Sequence, residues 1–137
     1  PTLHTTAHVT TPRKLLEIRG RVHQVYMDER IKEYILRLVL ATRSDGEIGK
    51  GETTGSKLTD IRHALRIGAS PRATLFLTLA SRAAALLDGR SYVVPDDIKS
   101  IAADVLRHRL LLTFDAEARG LSTDDVIGWL LETVSVP

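Results

Sequence analysis

The sequence has no cysteine, only 4% aromatic residues and a net charge of only +2 over 137 residues. A chain without cysteine forms no disulfide, uses no thiol nucleophile and binds no zinc through sulfur. A charge this small does not by itself indicate nucleic-acid binding. The sequence also shows no run of about 18 apolar residues and does not open with a charged-then-apolar signal pattern. We therefore expect a cytoplasmic protein that does not interact with membranes.

What the chain does contain is typical of one helical domain. Its 137 residues, 43% of them apolar and 26% charged, are enough to build a single core. We expect this core to consist of leucine, isoleucine, valine and alanine, with Phe76, Phe114 and Trp129 as isolated bulky side chains. Arginine outnumbers lysine by fourteen to five. This bias favours contacts with phosphate or carboxylate groups, which the guanidinium group binds in a bidentate manner.

Apolar periodicity and helix-start residues predict about five helices joined by short connections. The helices begin near Pro12, Asp28, Ser70, Pro95 and Ser122. This pattern favours an all-α fold, a helical bundle. Residues 110–113 could also pair with residues 92–94 as a short two-stranded ribbon, because both segments contain strand-forming side chains.

Two segments interrupt the helical pattern. Residues 1–10 are rich in threonine and histidine and predict a flexible tail, which leaves residues 11–137 as the folded domain. Residues 44–57 contain four glycines and predict a mobile surface loop. A Gly-Lys pair in this loop does not complete a P-loop, because Gly51 follows it where serine or threonine is required. The chain is thus predicted to have no nucleotide cradle of its own.

The histidines and paired carboxylates do not predict a metal site. His4 and His8 have no supporting ligand near them in the sequence. Two aspartate pairs, at residues 96–97 and 124–125, follow predicted helix starts, where carboxylates complement the helix dipole. We therefore expect no metal-binding residue and interpret both pairs as helix caps.

Apolar side chains at helical spacing predict which helix faces pack against the core. For the helix near Asp28 they are Ile31, Ile35, Leu38 and Val39; for the helix near Ser70 they are Leu75, Leu79, Ala83 and Leu86; for the helix at Pro95 they are Ile98, Ile101, Ala102, Val105 and Leu106. Gly89 is placed to end the second of these helices, because glycine readily adopts the left-handed conformation of a C-terminal cap.

The strongest candidate site is the run Gly68-Ala69-Ser70-Pro71-Arg72 at the start of the third predicted helix. Ser70 is a favourable N-cap, and Pro71 suits the first helical position. Arg72 then lies in the first turn, where the helix dipole disfavours a cation by about 0.3–1 kcal/mol. A bound anion would resolve this conflict, because free N–H groups and Arg72 could both donate to a phosphate while Gly68 lets the backbone come close. The alternative is a surface arginine that merely follows a Ser-Pro pair.

Several motifs occur in a fixed order along the chain. They are Tyr34-Ile35, Ala41-Thr42-Arg43, the segments at residues 68–73, 89–97 and 105–109, and the ending at residues 134–137. Together they resemble the C-terminal lid of MoxR-type AAA+ ATPases, over roughly residues 13 to 137. One departure is the segment between Arg43 and Gly68, which is long for the family and whose glycines match no family motif.

The resemblance implies that Arg72 is the sensor-II arginine, which contacts the γ-phosphate of ATP and couples the nucleotide state to the position of the lid. Gly68, Ala69, Ser70 and Pro71 then belong to the nucleotide-binding segment. ATP and Mg²⁺ would be held by a preceding P-loop large domain, so the isolated chain is expected to bind neither.

The resemblance also implies partners. It predicts neighbouring ATPase subunits in a hexameric ring, with Arg72 acting on the nucleotide of its own or of a neighbouring subunit. The family works with proteins that carry von Willebrand factor A domains, in chaperone-like assembly of client complexes.

Two other functions remain open at this point. Arg62, Arg66, Arg72 and Arg82 could form a nucleic-acid-binding surface, which would show a steep dependence of affinity on salt. The bundle could also be a protein-interaction module without any role in ATP hydrolysis. Low aromatic content and a charge near zero argue against the nucleic-acid function.

Overall fold

The computed structural model describes residues 7–43 and 56–137. Within this part, seven α-helices, one 3-10 turn and two short strands follow one another. They are α1 (Pro12–Val22), α2 (Glu29–Ala41), α3 (Ser56–Ala64), β1 (Leu65–Ile67), α4 (Arg72–Leu87), α5 (Pro95–Leu106), the 3-10 turn (Arg107–Arg109), β2 (Leu111–Leu112), α6 (Phe114–Ala118) and α7 (Thr123–Thr133). Most of the predicted tail and loop lies outside the described residues. None of the described helices is long and apolar enough to cross a membrane.

The predicted all-α bundle is confirmed, but its helices number more than five. The additional helices are α3 and α6, with nine and five residues. The start of α3 includes residues 56–57, which the sequence assigned to the loop. The start of α6 is fixed by the Thr113 hydroxyl, which accepts a hydrogen bond from the Ala116 N–H (3.3 Å). Both helices are too short to show a clear apolar period, so the sequence pattern does not reveal them.

The two-stranded ribbon exists, but with a different partner from the one predicted. β1 pairs with β2 in antiparallel fashion, with Leu65 opposite Leu112 and Ile67 opposite Leu111. The prediction paired residues 110–113 with residues 92–94, and this pairing is wrong. β1 has three residues and follows α3 directly, which leaves no turn signal by which the sequence could mark it as a strand.

The segment around Tyr92 pairs instead with the connection between α1 and α2. The Tyr26 N–H donates to the Ser91 carbonyl (2.8 Å), and the Val93 N–H donates to the Tyr26 carbonyl (2.9 Å). Tyr26 and Tyr92 thus form a parallel bridge. This strand-forming segment therefore pairs with Tyr26, which lies about 65 residues earlier in the chain. Local sequence patterns do not predict a pairing over that distance.

The core lies between α2, α4, α5 and α7. Its side chains with no solvent exposure include Tyr34, Ile35, Leu38, Leu77, Ile98, Leu106 and Leu130. The apolar faces predicted for α2 and α5 therefore face the core, as expected. α1 differs, because Val22 is its one buried residue while Leu15 and Leu16 are exposed.

The face of α4 that packs into the core is not the predicted one. Leu75 and Leu79 are exposed, and the buried residues of this helix are Ala73, Leu77, Ser81 and Ala85. α4 packs most extensively against α5 and also contacts α2. Small side chains suit such close helix packing, and three of the four buried residues on this side are alanine or serine, with Leu77 as the fourth.

Gly89 ends α4 as predicted. Its φ angle is +75°, in the left-handed region that favours glycine. The Gly89 N–H donates to the Leu86 carbonyl (3.0 Å), and the Arg90 N–H donates to the Ala85 carbonyl (2.9 Å). These two bonds form a Schellman motif, which satisfies the last carbonyls of the helix and turns the chain towards α5.

Arg90 then joins the end of α4 to the start of α5. Its guanidinium donates to both carboxylate oxygens of Asp97, and Asp97 also accepts the Val94 N–H (2.8 Å). The hydrogen bonds from Arg90 lower the pKa of Asp97 below its ordinary value, against the opposing effect of burial. The interpretation of the 96–97 pair as a helix cap is confirmed for Asp97, and Asp125 caps α7 in the same way.

We expect Asp97→Asn to lower the free energy of unfolding by about 2 kcal/mol at pH 7, because the variant replaces the buried carboxylate that pairs with Arg90 by a neutral amide and leaves Arg90 only its exposed partner Asp88. The folded-state pKa is depressed, so this contribution is complete above the unfolded-state pKa of about 3.9 and is lost as the pH falls through the lower folded-state value. Urea unfolding of both proteins between pH 7 and pH 3 measures the difference. Asp96→Asn is the control and should cost less than about 1 kcal/mol, since Asp96 is exposed and interacts with the helix dipole. Equal effects of the two variants would contradict the role of Asp97.

The end of α2 touches the segment that precedes α4. Thr42, the C-cap of α2, is buried, and its hydroxyl accepts a hydrogen bond from the Ala69 N–H (2.9 Å). Gly68 lies against the Thr42 carbonyl so closely that a Cβ atom on Gly68 would come within 2.1 Å of the Thr42 oxygen. Only glycine fits at this point. We call the contacts of Thr42 with Gly68 and Ala69 the Thr42 clamp.

Gly68→Ala is therefore expected to lower the free energy of unfolding by about 1–3 kcal/mol, since the added methyl group forces the backbone of α2 and the segment before α4 apart. Gly20→Ala is a matched control. A Cβ on Gly20 meets nothing within 4 Å, so this helix-interior substitution should raise stability by about 0.5–1 kcal/mol. Denaturant unfolding followed by circular dichroism measures both variants, and a Gly68→Ala protein as stable as the wild type would contradict the close contact.

Candidate functional site

Arg72 is the first residue of α4, and its side chain is exposed. Among the described residues it has no ion-pair partner and no side-chain hydrogen bond. Arg90 and Arg107, by contrast, are ion-paired, with Asp97 and with Asp124 (2.7 Å) respectively. An unpaired guanidinium can bind an oxyanion without first giving up a carboxylate, so the structure leaves Arg72 open to a phosphate.

The helix start differs from the predicted N-cap. Pro71 already has helical dihedral angles (φ −54°, ψ −26°), and no side chain caps the helix. The carbonyl of Ser70, rather than its hydroxyl, accepts the Ala73 N–H (2.8 Å), and the Pro71 carbonyl accepts the Thr74 N–H (3.1 Å). The prediction of a Ser70 side-chain cap is wrong, because this tight first turn satisfies its N–H groups with backbone carbonyls. Few amide donors are left for an anion, and the guanidinium becomes the principal donor.

The five residues predicted to bind the nucleotide fall into two groups. Ser70, Pro71 and Arg72 are exposed, whereas Ala69 is fully buried and its N–H is bonded to Thr42. Gly68 is required by its close contact with the Thr42 carbonyl, and its contact with a nucleotide stays a prediction. Gly68 and Ala69 thus hold the fold together behind the exposed end of α4.

Arg72 belongs to an exposed stripe along α4. Leu75, Phe76 and Leu79 follow at intervals of three, four and seven residues and share its face of the helix. Their exposed fractions are 69%, 44% and 44%. We call these four residues the α4 stripe. Exposed apolar side chains contiguous on one helix face mark a surface that contacts another protein or domain.

Phe76 is held in this stripe by a neighbour. The guanidinium of Arg109 lies 4.4 Å from the centre of the Phe76 ring, which is a favourable cation–π distance. Arg109 is itself fixed by the hydrogen bond from its Nε to the Val105 carbonyl (3.0 Å). The expectation that Phe76 and Phe114 fill the core is wrong: Phe114 is 86% exposed. The sequence does contain a signal for the stripe, because Leu75, Phe76 and Leu79 follow Arg72 at helical spacing.

The other arginines proposed for nucleic-acid binding lie on other elements, or on a different side of α4, from Arg72. Arg82 lies ten residues along α4, which corresponds to about 15 Å, and points to a different side of the helix. The Nε atom of Arg82 is buried. Arg66 is exposed on β1, and Arg62 lies on α3. Arg82 therefore does not extend the exposed surface around Arg72.

A cleft of about 400 Å³ opens between α3, α6 and α7. It is lined by Lys57, Asp60, His63, Ala64, Thr113, Asp115, Ala116, Arg119, Leu121 and Trp129. Its cations are paired, because Lys57 contacts Glu132 (3.5 Å) and Arg119 contacts Asp115 (3.7 Å). Both cations of the cleft are therefore neutralised by carboxylates, unlike the guanidinium of Arg72.

The donors around Arg72 match one phosphate contact and not a complete nucleotide site. Among residues 7–43 and 56–137, no three histidine, aspartate or glutamate side chains are grouped as metal ligands. A single guanidinium at a helix start can contact a terminal phosphate oxygen, and it can do so while the remainder of the nucleotide is held by other residues.

Comparison with known proteins identifies the family of this domain. The family model described as "AAA lid domain" matches residues 57–128. The chain is 37% identical to Chaperone MoxR1 of Mycobacterium tuberculosis over 90% of its own length and 30% of that protein. It is 41% identical to Protein MoxR of Methylorubrum extorquens over 51% of its own length and 21% of that protein.

A solved structure is similar as well. The chain superimposes on the crystal structure of a Cytophaga hutchinsonii protein assigned as an ATPase, with a TM-score of 0.80 and 36% identity, over 91% of this chain and 36% of that one. The chain thus spans about a third of the length of Chaperone MoxR1 and of the Cytophaga hutchinsonii protein. The matched lid segment contains Arg72 and the whole α4 stripe. The chain belongs to the AAA lid domain family, and within it to the lids of MoxR-type AAA+ ATPases.

Proposed function

We propose that this domain is the sensor-II lid of an ATP-hydrolysing AAA+ protein, in which Arg72 contacts the γ-phosphate of ATP. The observation that carries this proposal is the exposed guanidinium of Arg72 at the first residue of α4, without an ion-pair partner in the described part of the chain. The AAA lid family supplies the context in which such an arginine meets a nucleotide. The exposed neighbours Ser70 and Pro71 leave room for that contact.

The chemistry favours arginine at this point. When the γ-phosphoryl group is transferred, negative charge is spread over its oxygens, and positioned cations stabilise that charge. ATP and Mg²⁺ are held in a P-loop domain outside this chain, and Arg72 adds a donor whose contact depends on where the lid lies. Arg72 therefore couples the position of the lid to the state of the nucleotide. The isolated chain has one guanidinium for this purpose, which is too little to bind ATP tightly.

The α4 stripe gives this lid a second role, as a contact with a neighbouring subunit. Leu75, Phe76 and Leu79 lie on the face that also carries Arg72. A neighbouring subunit that covers these side chains would also contact the guanidinium of Arg72. The stripe therefore supports the action of Arg72 on the nucleotide of a neighbouring subunit in a ring. We place this ring in the cytoplasm, where ATP and Mg²⁺ are available, and assign it to chaperone-like work on proteins with von Willebrand factor A domains.

Arg72→Ala in the full-length protein is expected to lower kcat for ATP hydrolysis by about 100-fold or more, because a donor to the developing charge is lost. Arg72→Lys should recover part of this loss, since lysine keeps the charge but not the bidentate geometry. A steady-state ATPase assay measures the effect, with circular dichroism to verify the fold.

Arg119→Ala is the matched control for Arg72. This arginine is exposed at the C-terminal end of α6, on a different element from Arg72, and its loss should leave turnover close to that of the wild type. Unchanged turnover in Arg72→Ala would contradict the lid function and favour a protein-interaction bundle instead.

A double variant, Leu75→Glu with Leu79→Glu, is expected to weaken subunit association more than about tenfold, because each leucine contributes about 1.5–3 kcal/mol when covered by a partner. Sedimentation velocity of the full-length protein with ATP measures the ring. Leu87→Glu is the control: Leu87 is exposed on the same helix but lies at its other end. Rings that form equally well in the double variant, or that fail equally in the control, would count against a contact through the stripe.

A further inference from the structure

The segment between β1 and α4 is anchored by a single buried side chain. The Ala69 N–H donates to the hydroxyl of Thr42 at 2.9 Å, and both residues are buried. The same hydroxyl donates to the Val39 carbonyl at 2.7 Å. The Thr42 hydroxyl thus bonds the last turn of α2 on one side and the segment before α4 on the other.

The backbone of Thr42 restricts the same segment from a second direction. The Thr42 carbonyl lies so close to Gly68 that no Cβ atom would fit between them, so the two backbones are already in close contact. The hydrogen bond from Ala69 prevents the segment from moving away. The Thr42 clamp therefore fixes the distance between the end of α2 and the residues that lead into α4.

Little conformational freedom is left between this clamp and Arg72. Ala69 and Arg72 are separated by Ser70 and Pro71, and the φ angle of Pro71 is held at −54° by its ring. The Ser70 carbonyl already accepts the Ala73 N–H of the first helical turn. The position of the Arg72 Cα atom is therefore determined by the anchored residues behind it.

We propose that Thr42 is a positioning residue for Arg72, an inference that rests on the function proposed for Arg72. The buried Thr42 hydroxyl sets the place and direction of the start of α4, and through it the reach of the guanidinium towards the phosphate. Thr42 itself touches no ligand, because it is buried behind the exposed residues 70–72.

The test compares Thr42→Val and Thr42→Ser in the full-length protein. Valine has nearly the shape of threonine but lacks the hydroxyl, whereas serine keeps it. Displacement of a contacting group by about 1 Å can lower the rate by about 100-fold. We expect Thr42→Val to lower kcat for ATP hydrolysis by about 10- to 100-fold with little change in KM. Thr42→Ser should restore kcat to within about threefold of the wild type.

A double-mutant cycle separates positioning from general destabilisation. If Thr42 acts through Arg72, adding Thr42→Val to Arg72→Ala should lower kcat no further. A further loss as large as that seen in the wild-type background would overturn the proposal, since Thr42 would then act independently of Arg72. Wild-type kcat in Thr42→Val, or a Thr42→Ser protein as impaired as Arg72→Ala, would overturn it too.

The outcomes distinguish this proposal from the function on which it rests. Unchanged turnover in Arg72→Ala refutes the role of Arg72 itself. A large loss in Arg72→Ala together with normal turnover in Thr42→Val refutes only the role of Thr42. If Thr42→Val does not fold, Thr42→Ala removes the same hydroxyl with a smaller side chain, and the result for Thr42→Ser still decides whether the hydroxyl suffices.

Discussion

The contact between the last turn of α2 and the start of α4 is the constraint on which this domain depends. It joins two helices of the core through Thr42, whose carbonyl leaves no room for a side chain at position 68, where the residue is glycine. Everything exposed at this end of the molecule is placed by that buried contact. The motif residues before Arg72 therefore have two roles. Gly68 and Ala69 fix the backbone, whereas Ser70 and Pro71 face solvent.

The sequence predicted the fold class, the C-terminal cap at Gly89 and the inner faces of α2 and α5, because each depends on local chemistry or on a regular apolar period. It failed where an element is too short to be periodic, as in α6. It failed also in assigning the buried face of α4, where Ala73 and Ala85 face the core. Alanine marks close helix packing but does not stand out in a leucine-rich helix, so hydrophobicity alone selects the wrong face.

For the site, the sequence located Arg72 through an electrostatic conflict at a helix start. The structure shows that side chain exposed, and its contact with ATP stays a prediction. The role predicted for Gly68 at a nucleotide stays a prediction, and the structure adds a close contact with the end of α2 that the sequence does not show. Thr42 and Ala69 are 27 residues apart in the chain. A hydrogen bond over that range depends on tertiary packing, which a single sequence does not report.

α4 is held at both ends, by the Thr42 clamp before Arg72 and by the Schellman motif at Gly89 with the Arg90–Asp97 pair after it. Its 16 residues form an unbroken rod about 24 Å long. Such a rod transmits rotation without bending: a tilt of about 10° about one end moves the other by about 4 Å for a helix of this length. A displacement of α4 at Arg72 would thus also change the position of α4 relative to α1, which packs against the same helix.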